Sequence, residues 1–405
     1  MDRPLQTHAR RNQLTIILLF AMGWAMVFVN RTALYPLLSV IQGEFSLSAT
    51  RAGLITSSYY FFYVVLQIPA GMAGDRFGHK RVLVISFALS GIGVLAFGLV
   101  SSSYGWLLAS TVLYGGAAGA FHPMAFSLAM RSISERRRGL ATALINSGSA
   151  LGLIIGLSAA GPFFLLTGNW RLVFAGLAVP TLLLALAFQL AVRPVAPAAA
   201  AGTALHLLRN KNLLFIYLAS FCSLYAFATA VVWGPTFFQV ERGLGLGAAG
   251  AYTALVALGG IPAGLIFARL SDRWGRKNLA QGLMPLAALA LAGMALVRAP
   301  TMAVLTLLLY GAFGKLAWEP IAVAWTGDHV SRASPGSMGT ALALFGTIGM
   351  TSSIVAPVVA GWIRDRTGSL EGAFLLAAAM LLVGGLFMLV PAETVSRRQP
   401  ADRTG

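Results

Sequence analysis

The sequence predicts an all-α membrane protein of twelve transmembrane helices in two similar six-helix halves. Three observations carry this. Of 405 residues, 58% are hydrophobic and only 10% charged, where a soluble domain carries about 25% charged residues. Apolar stretches of about 20 residues, enough to cross a hydrocarbon core of about 30 Å, recur from end to end. Finally, three fragments of the first half reappear in the same order in the second. No stretch is left for a soluble catalytic domain, so an enzyme is not expected.

In chain order the expected spans are 14–36, 52–73, 82–100, 105–130, 139–165, 171–192, 213–239, 248–268, 279–297, 301–326, 338–362 and 371–391. The first follows Arg10 and Arg11, is too long for a signal-peptide core and lacks a small-residue cleavage site, so it reads as a retained helix. Basic stretches close the second and eighth spans, GMAGDRFGHKR at 71–81 and ARLSDRWGRK at 268–277. Between the sixth and seventh, residues 193–212 bring two prolines, an alanine run and basic residues. This reads as a cytoplasmic linker between an N-terminal half, 1–192, and a C-terminal half, 213–392, with a tail at 393–405.

A net charge of +17 would point to nucleic acid in a soluble protein, but its distribution points to topology. With a cytoplasmic N-terminus, 21 of the 29 Lys and Arg fall on that side, and six (Arg51, Arg171, Arg242, Arg298, Arg364, Arg366) on the other. This is the positive-inside pattern. Both termini are therefore expected in the cytoplasm, with the lipid bilayer rather than nucleic acid as the macromolecular surroundings. A monomer in a bacterial inner membrane is the expected setting. The lone Cys222 excludes an internal disulfide and reads as a small apolar residue of the seventh span.

The repeated fragments are IPAGMAGDRFGHK at 68–80 against IPAGLIFARLSDRWGRK at 261–277, LYGGAAGAFHP at 113–123 against LYGAFGKLAWEP at 309–320, and GLATA at 139–143 against GTALA at 339–343. They stand 193 to 200 residues apart. Such a parallel repeat belongs to transporters that bind substrate between their halves near mid-membrane.

These residues resemble the major facilitator superfamily, whose signature loop is G-x-x-x-D-R-x-G-x-[RK]-[RK]. The resemblance implies the major facilitator fold. It also implies a gating network on the cytoplasmic side, carried to Gly71, Asp75, Arg76, Gly78, Arg81, Asp272, Arg273, Gly275 and Arg276. Glycine in such a loop permits a positive-φ turn, and the carboxylates can pair with arginine or a helix N-terminus.

Four ionisable residues lie within otherwise apolar spans: Arg31, His122, Lys315 and Glu319. A charge at a helix centre costs about 2.5–3.5 kcal/mol even on the gentlest scale, so such residues normally face a polar cavity. In the resembled fold, the first, fourth, seventh and tenth spans line that cavity, and all four residues fall on these. Lys315 and Glu319 are spaced i, i+4 and can pair. Arg31 has no carboxylate one turn away. The cationic excess implies an anionic solute, which arginine can hold in a bidentate fork. A carboxylate is the leading choice.

The opening of the chain resembles the anion:cation symporter branch of the superfamily, through Arg31, Glu44, Phe45, Gln67, Pro69 and Gly71. Asn30 stands where that branch carries an aspartate. Proton coupling would then fall to Glu319 or His122, with anion exchange as the other mode. The expected substrate-binding residues are Arg31, Tyr35, Tyr59, Tyr63, His122, Lys315 and Trp318. No cofactor or metal is expected: the chain has neither a P-loop nor a metal-ligand cluster. The rival readings are multidrug efflux within the superfamily, disfavoured by the basic cavity, and transport of nitrate or phosphate.

Overall fold

The computed structural model describes residues 3–133, 138–194, 205–333 and 337–395. Residues 195–204 of the expected linker and 396–405 of the expected tail lie outside them. The described chain is helical throughout: α1 Arg3–Thr32, α2 Leu34–Phe45, α3 Ala49–Phe77, α4 His79–Leu99, α5 Tyr104–Gly119, α6 Phe121–Ser132, α7 Arg138–Thr167, α8 Trp170–Ala191, α9 Lys211–Val240, α10 Leu246–Trp274, α11 Arg276–Leu296, α12 Pro300–Phe313, α13 Lys315–Ala333, α14 Met338–Thr367 and α15 Glu371–Phe387. A short 3₁₀ turn, Leu205–Arg209, precedes α9.

Among the described residues nine segments are long and apolar enough to cross a membrane. Three expected spans fall short for local reasons. The stretch 52–73 is one continuous helix, but Ser57, Ser58, Gln67 and three tyrosines dilute it. The stretch 105–130 is interrupted at Ala120, and α15 has only 17 residues.

The helices outnumber the expected spans because 14–36, 105–130 and 301–326 each contain a break. A proline lacks an amide hydrogen, and its ring crowds the carbonyl four residues earlier. Four residues before Pro36 is Thr32, the last residue of α1, and four before Pro123 is Gly119, the last of α5. The third break falls at Gly314, where ψ turns to −151°. Arg31 lies just before the first of these breaks, and His122 and Lys315 just after the other two.

The chain divides into two compact units, Met1–Ala200 with Gly234–Ala254, and Ala201–Trp233 with Leu255–Gly405. In the first unit α7 packs on α1 through a glycine row. A Cβ on Gly148 would strike the Ala21 carbonyl, one on Gly152 the Ala25 carbonyl, and one on Gly156 the Thr32 hydroxyl. Small residues at four-residue spacing let two backbones approach in this way. Gly115 and Gly119 of α5 press on the backbone of Tyr59 and Tyr63 in the same manner and fix α3. In the second unit Gly311 closes on Val256 and Gly259 on Leu308. The duplication also shows in turn geometry: Gly78 and Gly275 have φ of 92° and 95°, and Gly168 and Gly368 have 66° and 77°. Large aliphatics such as Ile68, Leu166, Leu190 and Leu289 point outward, as lipid-facing residues must.

Candidate functional site

In the first unit the α1–α2 break places Arg31 in the last turn of α1, only 5% exposed. Its guanidinium lies 4.0 Å from the centre of the Phe28 ring, 5.2 Å from Tyr60 and 5.9 Å from Tyr59. Ring faces attract a cation but supply no counter-charge. Nε of Arg31 is buried without a hydrogen-bond partner, and the same holds for the hydroxyls of Tyr59 and Tyr114. Tyr35 and Tyr60 bring their hydroxyls to 3.4 Å. Tyr59 stacks on Tyr63 at 5.9 Å and meets Tyr114 at 5.1 Å. The result is a guanidinium ringed by phenols, with hydrogen-bond capacity left unused in a buried place, which native structures rarely leave so.

Asn30 does not join this group. Its amide donates to Thr181 Oγ1 of α8 at 3.0 Å. His122 opens α6 just past the second break and is exposed. It stacks on Phe126 at 4.3 Å and lies 5.4 Å from Trp24, whose ring in turn meets Phe28, the ring under Arg31, at 5.1 Å.

In the second unit the Gly314 break makes Lys315 the first residue of α13. Lys315 Nζ meets Glu319 Oε2 at 2.7 Å, as the i, i+4 spacing predicts, and sits 5.3 Å over the Phe227 ring. Trp318 is buried among Tyr217, Trp325 and Phe345 in the core of this unit, and its indole Nε1 has no partner.

The two signature turns differ. In the first, His79 Nε2 approaches Asp75 at 3.5 Å, Arg76 lies over Phe77 at 5.3 Å, and Arg81 is exposed. In the second, Arg276 reaches Asp272 at 3.4 Å and Asp328 at 2.6 Å. Glu393 then closes the N-terminus of α11, accepting from the amides of Arg276 at 3.1 Å and Lys277 at 2.9 Å. Burial would raise the Glu393 carboxyl, but backbone N–H groups of Val395, Lys277, Arg276 and Thr394 outweigh it and hold the group below its ordinary range. Gly71 and Arg273 take their places on α3 and α10.

Sequence reasoning missed Phe28, Tyr60, Tyr114, Asp328 and Glu393. Phe28 alone carried a usable signal, its i, i+3 spacing from Arg31. It also missed the clamp that holds the α2 end: Arg171 donates to both oxygens of Glu44 at 3.1 and 2.6 Å, and the Trp170 indole donates to Glu44 at 2.5 Å. Among the described residues no group of His, Cys, Asp or Glu could hold a metal ion.

Long apolar helices interrupted at polar positions, built twice over, define a multi-pass membrane protein of the transporter class. The chain belongs to the Major Facilitator Superfamily, whose family model matches residues 16–351; a second model, Vacuole effluxer Atg22 like, matches 336–400. Among curated proteins it is similar to the Hexuronate transporter of Bacillus subtilis, 26% identical with 94% of each chain covered. It is similar as well to the Probable sulfoacetate transporter SauU of Cupriavidus necator, 26% identical with 96% of each covered. Among solved structures it matches a bacterial homologue of the human lysosomal transporter Spinster, in an inward-facing and occupied conformation. That match has a TM-score of 0.81 at 16% identity, covering 93% of this chain and 96% of the other. The chain is therefore a transporter and not an enzyme, as its composition and repeats implied. The two curated relatives are named for organic anions, the kind of solute the opening residues led us to expect.

Proposed function

We propose that this protein is a secondary transporter of a small organic anion, a carboxylate, working by alternating access as a proton symporter or anion exchanger. The observation that carries the proposal is Arg31: a guanidinium 5% exposed, ringed by Phe28, Tyr59 and Tyr60, with no ion pair to a carboxylate among the described residues. An uncompensated buried charge is costly, and an incoming carboxylate removes that cost through charge-assisted hydrogen bonds. The phenols of Tyr35, Tyr59 and Tyr63 supply donors for the rest of a hydroxylated acid. In the second unit Lys315 and Trp318 are the proposed contacts, and Glu319 is the proposed proton carrier. His122 is the other titratable group proposed for coupling or contact. The two signature turns are proposed to gate access. The duplicated turns and the basic loops support twelve spans in six-helix halves 1–192 and 213–392, joined by a linker at 193–212, in a bacterial inner membrane with both termini cytoplasmic. The names of the hexuronate and sulfoacetate relatives support the substrate class.

The test is uptake into proteoliposomes from a panel of mono- and dicarboxylates, hexuronates and sulfoacetate included, with and without a pH gradient. Arg31→Ala should lower uptake kcat/KM about 10–100-fold, the value of a charged hydrogen bond, and Lys315→Ala should also impair it. Undiminished uptake in both variants would overturn the site.

A further inference from the structure

We propose that the first unit carries an anionic-phospholipid site at the α3–α4 turn, with the lipid phosphate held by the first turn of α4 and the side chains of Lys80 and Arg81. This proposal does not depend on which solute Arg31 binds. It comes from setting the two signature turns of the chain side by side. They correspond residue for residue: Gly78 with Gly275, His79 with Arg276, and Lys80 with Lys277. The lysines do the same thing in both copies, Lys80 Nζ donating to the Gln189 carbonyl and Lys277 Nζ to the Leu389 carbonyl, each at 2.7 Å.

What faces the helix N-terminus is different. In the second copy the Glu393 carboxylate sits on the amides of Arg276 and Lys277, so close that a Cβ on Gly275 would collide with it. The residue at the matching place in the first copy, four beyond Gln189, is Arg193. A Cβ on Gly78 would meet nothing within 4 Å. In place of the carboxylate there is a cavity of about 470 Å³ lined by Gly78, His79, Lys80 and Arg81 on one side and Gln189 and Pro194 on the other. The charge around it is inverted as well. Asp328, the partner of Arg276, is matched in the first half by Arg131. The nearby carboxylate of Asp75 is turned to His79.

The cavity thus has the features of an anion site. The opening amides of α4 have no intrahelical acceptor, and a helix start attracts negative charge. Lys80 spends one of its three protons on Gln189 and keeps two. Arg81 is exposed at the cavity wall. His79, only 5% exposed, lines the same cavity, and its Nδ1 has no hydrogen-bond partner.

The rim decides for a lipid over a free anion. Phe77 and Ile85 close the cavity on its outer side and are 57% and 50% exposed. Moreover, α4 is itself one of the membrane-crossing segments, so its first turn lies at headgroup depth. Basic residues at that depth attract anionic lipids. An acyl chain covers the apolar rim, which a soluble anion would leave bare.

The experiment is native mass spectrometry of the full chain in detergent, titrated with phosphatidylglycerol or phosphatidylcholine of identical chains, and with soluble glycerol phosphate as competitor. Wild type should retain one phosphatidylglycerol about 30-fold more tightly than phosphatidylcholine, on the scale of two interfacial cations at about 1 kcal/mol each. Lys80→Gln/Arg81→Gln should erase the preference. Arg193→Glu, at an exposed position where folding is undisturbed, should erase it too by supplying the carboxylate that the second copy already has. Equal retention of the two lipids by wild type, or an undiminished preference in Arg193→Glu, would overturn the proposal. Displacement of the lipid by glycerol phosphate at matching concentrations would overturn the lipid assignment in favour of a free anion.

Discussion

Arg31 and Lys315 are both cations placed at helix breaks inside apolar spans, and the two units meet their cost in opposite ways. Lys315 is neutralised by its own helix, through Glu319 at 2.7 Å. Among the described residues, Arg31 is met by aromatic faces and phenols. A self-paired lysine changes its net charge when its carboxylate takes up a proton. A guanidinium keeps its charge at any physiological pH. In the proposed function Arg31 would hold the anion and Glu319 would carry the proton, so recognition and coupling can be tested apart.

The sharpest way to break this comparison is Glu319→Gln. Removing one member of a partly buried ion pair leaves the other uncompensated. Accumulation driven by a pH gradient should fall more than tenfold, the order expected for a lost acid–base group, while exchange of labelled for unlabelled anion continues. Exchange would isolate the binding proposed for Arg31 from any protonation step. Wild-type accumulation in Glu319→Gln would show that the pair is only structural.

The sequence revealed most where the physics is local. The i, i+4 spacing of Lys315 and Glu319, the isolation of Arg31 and the positive-φ glycines of the duplicated turns all follow from residues within one helical turn. The breaks before Pro36 and Pro123 are less legible: the sequence predicts 14–36 and 105–130 as continuous spans, and Pro69 and Pro162 lie inside unbroken helices. What stayed hidden depends on distant segments meeting. Tyr60 reaches Arg31 from another helix, Asp328 reaches Arg276 across 52 residues, and Glu393 caps an amide 117 residues away. Asn30 is instructive because the sequence marks it as a departure, and only packing shows that its amide serves Thr181.

A smaller effect is expected at Glu44, a carboxylate of the first unit paired with Arg171. Glu44→Ala strips Arg171 of its bidentate partner and leaves the indole N–H of Trp170, itself 2% exposed, without an acceptor. An unsatisfied buried donor costs about 1–3 kcal/mol, so the midpoint of thermal denaturation in detergent should fall. Uptake kcat/KM measured well below that midpoint should stay near wild type, because among the described residues Glu44 pairs with Trp170 and Arg171 and not with the residues around Arg31. A large fall in uptake at unchanged stability would assign Glu44 to the transport cycle.

The smallest effect tests the difference between the two signature turns. Glu393 caps α11 through backbone amides of Arg276 and Lys277, and Thr394 Oγ1 donates to Asp328 at 2.6 Å alongside. Because the folded protein holds the Glu393 carboxyl below its ordinary value, its contribution is fully present above the ordinary carboxylate range. It is lost as pH falls through the lowered value. Glu393→Gln keeps an acceptor for one amide but removes the charge that complements the helix start, a loss of about 0.3–1 kcal/mol. The variant should therefore denature at lower temperature than wild type at neutral pH, and the two should converge as the pH is lowered below the carboxylate range. A gap that persists in acid would mean that Glu393 acts through packing rather than charge. The cap would then no longer explain why one turn of the pair is closed and the other open.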